Sequence, residues 1–278
     1  MKTRIVVGVD GSAGSVLAVR WAAAEARLRE AELRVLAAYH RQQSGLHLTA
    51  GRQAHPVADE DASAVVHKAV TEARSNAPDV EVHGVALPGY AVPVLLRAAE
   101  DADLLVVGAR GEGGVPGLPF GSVGIQVATH ARGSVVVVRG RRDADTGPVV
   151  VGFDEGPTAG TVIGHAFEEA ALHRAALSAI TVQTSGRLRA GSGQSTAQAD
   201  LGSDLESQLG AWRAKYPDVP AEHKVVAGRP DKVLVQRSRQ ARLIVVGPRG
   251  HGFEGVWLGS VGTRLVERAD CPVFIARP

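Results

Sequence analysis

The feature that most constrains this 278-residue chain is an internal repeat. The first half opens with RIVVGVDGSAGSVLAVRWAAAEA and the second with PVVVGFDEGPTAGTVIGHAFEEA, so that Asp10 aligns with Asp154, Trp21 with His165 and Glu25 with Glu169 without a gap. Further along, DADLLVVGARGEGG (Asp101 to Gly114) matches QARLIVVGPRGHGF (Gln240 to Phe253), and GSVGIQVATHARGSVVVV matches GSVGTRLVERADCPVFIA. Self-similarity over nearly the whole length means two copies of one folding unit. Between the copies, RGRRDADTG (Arg139 to Gly147) is charged and lacks apolar periodicity, which reads as a linker. Two domains are therefore expected, 1–142 and 143–278.

Each half alternates short aliphatic runs with amphipathic stretches. In the first half the runs are Arg4 to Val9, Leu33 to Tyr39, Val80 to Ala86, Asp103 to Gly108 and Ser134 to Val138. Continuous β-branched runs of this length suit parallel strands covered on both faces. The intervening stretches Ser15 to Glu30, Asp59 to Asn76, Ala91 to Glu100 and Gly121 to Ala131 have helical spacing, with Pro93 near the start of the third. Strand and helix in alternation imply right-handed crossovers, hence an α/β fold of two doubly wound, five-stranded parallel-sheet domains. Such sheets bind ligands beyond the carboxyl ends of their strands, where the strand order reverses.

Composition removes several classes of function. Hydrophobic residues make up 45% of the chain and aromatic residues 4%, a globular profile with an aliphatic core. The net charge of +2 provides no general attraction to nucleic acid or to anionic membranes, so any bound anion must be held locally. The single cysteine, Cys271, cannot form an internal disulfide, and MKTRIVVGVD contains no signal-peptide or membrane segment. A cytoplasmic protein without nucleic-acid or membrane partners is expected.

The motif carrying most chemistry follows the fourth strand. Gly108-Ala-Arg-Gly111 is followed by nine residues and then Gly121-Ser122, which opens a helix. Glycines let backbone amides approach phosphate oxygens closely, and a helix N-terminus adds N–H donors and partial positive charge. The second copy reads Gly247-Pro-Arg-Gly250, eight residues, then Gly259-Ser260. The competing reading is that these glycines only turn the chain out of a strand and into a helix. Arg110 and Arg249 lie inside the motifs, where a guanidinium can pair with β- or γ-phosphates or remain solvated. Asp10 and Asp154 end the first strand of each half, placed either to accept hydrogen bonds from a nucleoside or to cap the following helix.

With these residues in view, the chain resembles a tandem universal stress protein, both halves matching the family along essentially their full length. The resemblance implies an adenine nucleotide alpha hydrolase-like fold, its two domains related by a pseudo-two-fold axis. The family's nucleotide motif is glycine, two residues, glycine, nine residues, glycine, then serine or threonine. Gly108, Gly111, Gly121 and Ser122 satisfy it; the second half is one residue short in the long gap. The resemblance further implies that Asp10 and Asp154 contact the nucleoside. Backbone at Ala38 and Val182 would meet the adenine, and Ser122, Val123, Ser260 and Val261 would touch phosphates. Many ATP-binding relatives carry threonine or serine after that valine, where this chain has Gly124 and Gly262.

The expected function is accordingly an ATP-binding stress-response regulator with little or no turnover. Catalytic residues and a protein metal site are not expected, and magnesium would arrive only with ATP. The alternatives are a nucleotide-independent interaction scaffold and a slow ATP hydrolase or transferase. The fifth strands, Val135 to Val138 and Pro272 to Ala276, are apolar edges that invite pairing, within the chain and in a further homodimer.

Sharper motifs fail on inspection. Gly250-His-Gly252-Phe-Glu-Gly255 fits the dinucleotide fingerprint, but the acidic residue at the required distance, Asp270, precedes its strand instead of ending it. No lysine follows a glycine as a Walker A loop requires, and no Gly-x-Ser-x-Gly elbow is present. His40, His47 and His55 lack paired metal-ligand spacing.

Overall fold

The computed structural model describes residues 2–40, 57–109, 122–141, 146–153, 156, 158–184, 208–248 and 258–278. The chain divides into two compact units, one comprising Met1–Val127 and Ala131–Gly133, the other Ala128–His130 and Ser134–Pro278.

The first unit contains β1 (Arg4–Gly8), α1 (Ala13–Leu28), β2 (Glu32–Tyr39), α2 (Val57–Asn76), β3 (Val82–Pro88), α3 (Ala91–Glu100), β4 (Leu104–Gly108) and most of α4 (Ser122–His130). Its four strands are parallel in the order β3-β2-β1-β4. Ile5, Val7, Leu33, Val35 and Val106 are completely buried, as covering both faces of a parallel sheet requires. Helix α1 lies on this sheet through alanines: Ala18, Ala22, Ala23 and Ala26 have no exposed surface. Side chains this small let the helix approach closely without rotamer cost.

Helix α1 begins at Ser12, whose Oγ accepts from the Ser15 N–H at 3.1 Å, a conventional N-cap. It ends with Glu30 in the left-handed region at φ 52° and the Ala31 N–H donating to the Ala26 carbonyl. The second copy repeats this ending at Arg174, φ 49°, with Ala175 donating to Ala170.

The second unit holds β5 (Val135–Val138), β6 (Val149–Phe153), α5 (Ala159–Leu172), β7 (Leu177–Gln183), a helix described over 208–215 (α6), β8 (Ala221–Ala227), α7 (Pro230–Arg237), β9 (Leu243–Val246), α8 (Ser260–Arg268) and β10 (Val273–Ile275). Parallel strands run in the order β8-β7-β6-β9-β10. Strand β5 completes this unit by pairing antiparallel with β10, Val136 opposite Phe274. The first half in sequence thus supplies a strand to the second unit. All four valines of β5 are buried, and an antiparallel ladder satisfies backbone groups that an apolar edge would leave open.

Different contacts dock equivalent helices in the two units. In the first, Arg20 of α1 donates to Glu72 of α2 at 2.6 Å and holds that carboxyl below the usual range. In the second, the position aligned with Arg20 is Gly164 of α5. A Cβ there would meet the Trp212 indole at 2.8 Å. Trp212 stacks with Phe167 and Tyr216, and Lys215 lies over its ring at 4.8 Å.

Candidate functional site

In the first unit the strand order reverses between β1 and β4, and the carboxyl ends of β1, β2 and β4 carry three of the expected site residues. Asp10 lies two residues beyond β1 and is exposed; its Oδ1 accepts from the Ser12 N–H at 3.0 Å. The capping role considered for Asp10 belongs to Ser12, and Asp10 shapes the turn before it. Ala38 sits near the end of β2, half-buried, paired with Leu87 of β3. Gly8 pairs with Leu36, so Asp10 and Ala38 occupy adjoining strand ends. Gly108 ends β4, where a Cβ would stand 2.7 Å from the Gly14 backbone in the first turn of α1. A helix backbone, rather than a ligand, fills the room made by this glycine.

Ser122 is the exposed first residue of α4 and Val123 is half-buried behind it. Arg110, Gly111 and Gly121 lie outside the described residues, as do Asp154, Arg249 and Gly250 of the second copy.

In the second unit the reversal falls between β6 and β9. Val182 lies near the end of β7, paired with Val226 of β8. Gly247 directly follows β9, with Val162 Cγ2 3.1 Å from where its Cβ would be. Gly259 is the N-cap of α8, and its N–H donates to the Pro248 carbonyl at 2.7 Å, holding the helix start beside the strand end. Ser260 and Val261 therefore lie in a helical first turn close to the end of β9. Because Gly259 has no side chain, α8 begins without the kind of cap that Ser12 gives α1. A helix start of this kind is where backbone N–H groups can receive an anion.

Three features of these edges were not singled out from sequence. Leu258 packs over Gly262, whose Cβ would be 2.4 Å from Leu258 Cδ1, so an apolar side chain occupies the space a serine or threonine would use. His40 and Tyr90 stack beyond the ends of β2 and β3. At the corresponding edge of the second unit, Arg229 donates from Nε and Nη2 to Asp231, holding that carboxyl below its ordinary range.

No activated nucleophile stands out among the described residues. Cys271 is buried, and burial pushes its thiol up to about 12. No described helix is long and apolar enough to cross a membrane.

The family model for universal stress proteins matches this chain twice, over residues 1–139 and 146–277. The chain belongs to the universal stress protein family. A universal stress protein of Mycobacterium tuberculosis is 33% identical over 305 residues, covering 98% of this chain and 94% of the relative. One from Mycolicibacterium smegmatis is 32% identical over 290 residues, covering 99% and 97%. A universal stress protein from Archaeoglobus fulgidus superposes with a TM-score of 0.72 at 17% identity, covering 99% of this chain and 98% of that one. The matches thus span nearly the whole of this chain and of these relatives, and in this universal stress protein the edges described above are one place where the two copies differ in chemistry.

Proposed function

We propose that the first unit binds an adenine nucleotide, ATP with its magnesium, and that the chain acts as a stress-response regulator with little or no turnover. The observation that carries this reading is that Asp10, Ala38 and Gly108 stand at the carboxyl ends of the neighbouring strands β1, β2 and β4, beside the point where the strand order reverses. That edge is where doubly wound sheets receive nucleotides. The complete glycine motif Gly108, Gly111, Gly121 and Ser122 follows from the same strand, with Val123 behind it. Asp10 is the group for the nucleoside and Ala38 the backbone for the base; Arg110 is the cation for the terminal phosphates.

The second unit is the weaker binder in this reading. Its long gap is one residue shorter, and Leu258 fills the space beside Gly262 in the first turn of α8. Asp154, Val182, Gly247, Gly250, Gly259, Ser260 and Val261 form its counterpart site. Slow turnover fits a nucleotide held by backbone amides and one carboxylate, with no group assigned to activate water.

Calorimetric titration of nucleotide-stripped protein with Mg-ATP tests the proposal. The expected result is a dissociation constant in the micromolar range, on the order of 8 kcal/mol. Stoichiometry should be close to one, and Asp10→Ala or Gly121→Ala should abolish the signal. No binding at millimolar ATP overturns the proposal in favour of an interaction scaffold. Turnover above about 1 s⁻¹ would make the chain an enzyme.

A further inference from the structure

Tyr90 is placed where neither packing nor helix capping accounts for it. It is the N-cap of α3, a position that favours Ser, Thr, Asp or Asn because their short side chains accept from the first-turn N–H groups. Tyr90 makes no such bond, and 67% of its surface is exposed. Its ring instead stacks on His40, with centroids 4.5 Å apart and planes 20° from parallel. The backbone builds this pair deliberately. Tyr39 pairs with Pro88, Gly89 adopts φ 141°, and the Gly89 N–H donates to the Tyr39 carbonyl at 2.7 Å. His40 and Tyr90 are thereby drawn together just past the strand ends, two residues from Ala38. Leu87, opposite Ala38 and 37% exposed, extends the apolar surface along the same edge.

The second unit shows that the backbone does not demand an aromatic ring here. Gly228 has φ 150° and donates to Gln183, and the following N-cap residue is Arg229, tied to Asp231. The same turn thus carries a π-surface in one copy and an ion pair in the other.

We propose that the His40–Tyr90 stack is a platform for the planar base of the ligand, making Tyr90 a specificity-determining residue of the first unit. This rests on the nucleotide reading above and identifies the feature that selects a base over a bare phosphate. A ring with most of its surface exposed offers a π-face to any purine. Stacking on such a face is favourable and tolerant of ring identity, so adenine and guanine nucleotides both gain from it, with discrimination left to Asp10 and the Ala38 backbone. Inorganic tripolyphosphate gains nothing from it.

The test compares the full chain with Tyr90→Phe, Tyr90→Leu and Tyr90→Ala variants, titrated with ATP, adenosine and inorganic tripolyphosphate. One-dimensional proton spectra of bound adenosine accompany the titrations. Tyr90→Phe should stay within about twofold of the parent, while Tyr90→Leu and Tyr90→Ala weaken ATP and adenosine about tenfold and leave tripolyphosphate unchanged. The adenine H2 and H8 signals should move upfield on binding to the parent and lose that ring-current shift in Tyr90→Leu. If Tyr90→Leu binds ATP as tightly as the parent while Asp10→Ala does not, the platform is overturned and the nucleotide site stands. If the parent binds neither ATP nor adenosine, both are overturned. Equal losses for ATP and tripolyphosphate would mean a general disturbance of the edge and would overturn the platform.

Discussion

Arg139 and Arg277 occupy equivalent positions, one just past β5 and the other just past β10, and each crosses to cap the helix that precedes the other's strand. Arg277 Nη2 donates to the carbonyls of Ala128 at 2.6 Å and Thr129 at 3.3 Å, in the last turn of α4. Arg139 Nη1 donates to the Val266 and Leu265 carbonyls near the end of α8. A guanidinium at a helix C-terminus satisfies orphan carbonyls and meets the negative end of the macrodipole. Burial brings Arg277 down to about 10, so it stays charged near neutral pH. Its backbone N–H donates to Ser134 Oγ at 3.0 Å, fastening the end of the chain to the start of β5. Replacing Arg277 with Met should lower stability by about 2–3 kcal/mol by stranding buried carbonyls. Arg277→Lys should not restore it, since an ammonium lacks the planar fork. Urea midpoints of the two variants check both statements.

Gly108 and Gly247 occupy matching sites but should respond differently to a methyl group. At Gly108 a Cβ meets backbone at 2.7 Å, so helix α1 must shift off β4; at Gly247 the nearest atom is a valine methyl at 3.1 Å, which can rotate away. Gly108→Ala should cost about 2–3 kcal/mol and Gly247→Ala under about 1 kcal/mol, read from denaturation curves. Equal losses would show that the close approach of Gly14 does not govern the first site.

Gly262→Ser introduces a hydroxyl-bearing side chain into space Leu258 already fills. The single variant should be destabilised, and Leu258→Ala should relieve the clash. A double-mutant cycle should therefore give a coupling of about 1 kcal/mol or more, with stability measured by denaturation. Mg-ATP titration of the double variant then reports whether opening that space raises binding by the second unit.

Cys271 should resist alkylation at pH 8 in the native protein and react fully in denaturant, followed by mass spectrometry. Burial raises its folded pKa to about 12, above the ordinary thiol value of 9.0, so the folded state holds the proton more tightly than the unfolded state. The linked stability is complete below pH 9 and falls as pH rises from about 9 to about 12. Cys271→Ala should remove that share of the alkaline loss.

Much of this fold is legible along the chain because its elements are written in local periodicity. Helix α3 occupies the expected Ala91–Glu100, and strands β2 and β4 begin one residue away from where their aliphatic runs begin. Parallel strands buried on both faces leave continuous apolar runs, which a reader of the sequence recognises without knowing the neighbours. The repeat itself predicts the shared left-handed endings at Glu30 and Arg174 only in position, since nothing in either side chain announces a positive φ. Asp10 and Ala38 can likewise be placed at a common edge, because strand ends follow from strand order.

What local pattern leaves undetermined is which side chain fills which space. Gly164 reads in sequence as a weak helix former, costing about 1 kcal/mol against alanine. Only the folded α5 shows that its missing Cβ is the seat of Trp212. Gly108 reads as a phosphate-binding glycine, yet the atoms nearest its absent methyl belong to Gly14. His40 and Tyr90 are fifty residues apart along the chain, and their stack exists because β2 and β3 end in register and Gly89 turns the chain back. By itself the sequence determined that there are two α/β units, where their strands run, and that a glycine motif follows the fourth strand of each. The tertiary structure decided the antiparallel register in which the expected pairing of β5 with β10 forms, that Arg139 and Arg277 exchange caps, and that one edge carries an aromatic stack while the other carries an ion pair. Periodicity is a property of neighbouring residues in the chain, whereas packing and edge chemistry depend on residues that meet only after the strands have aligned.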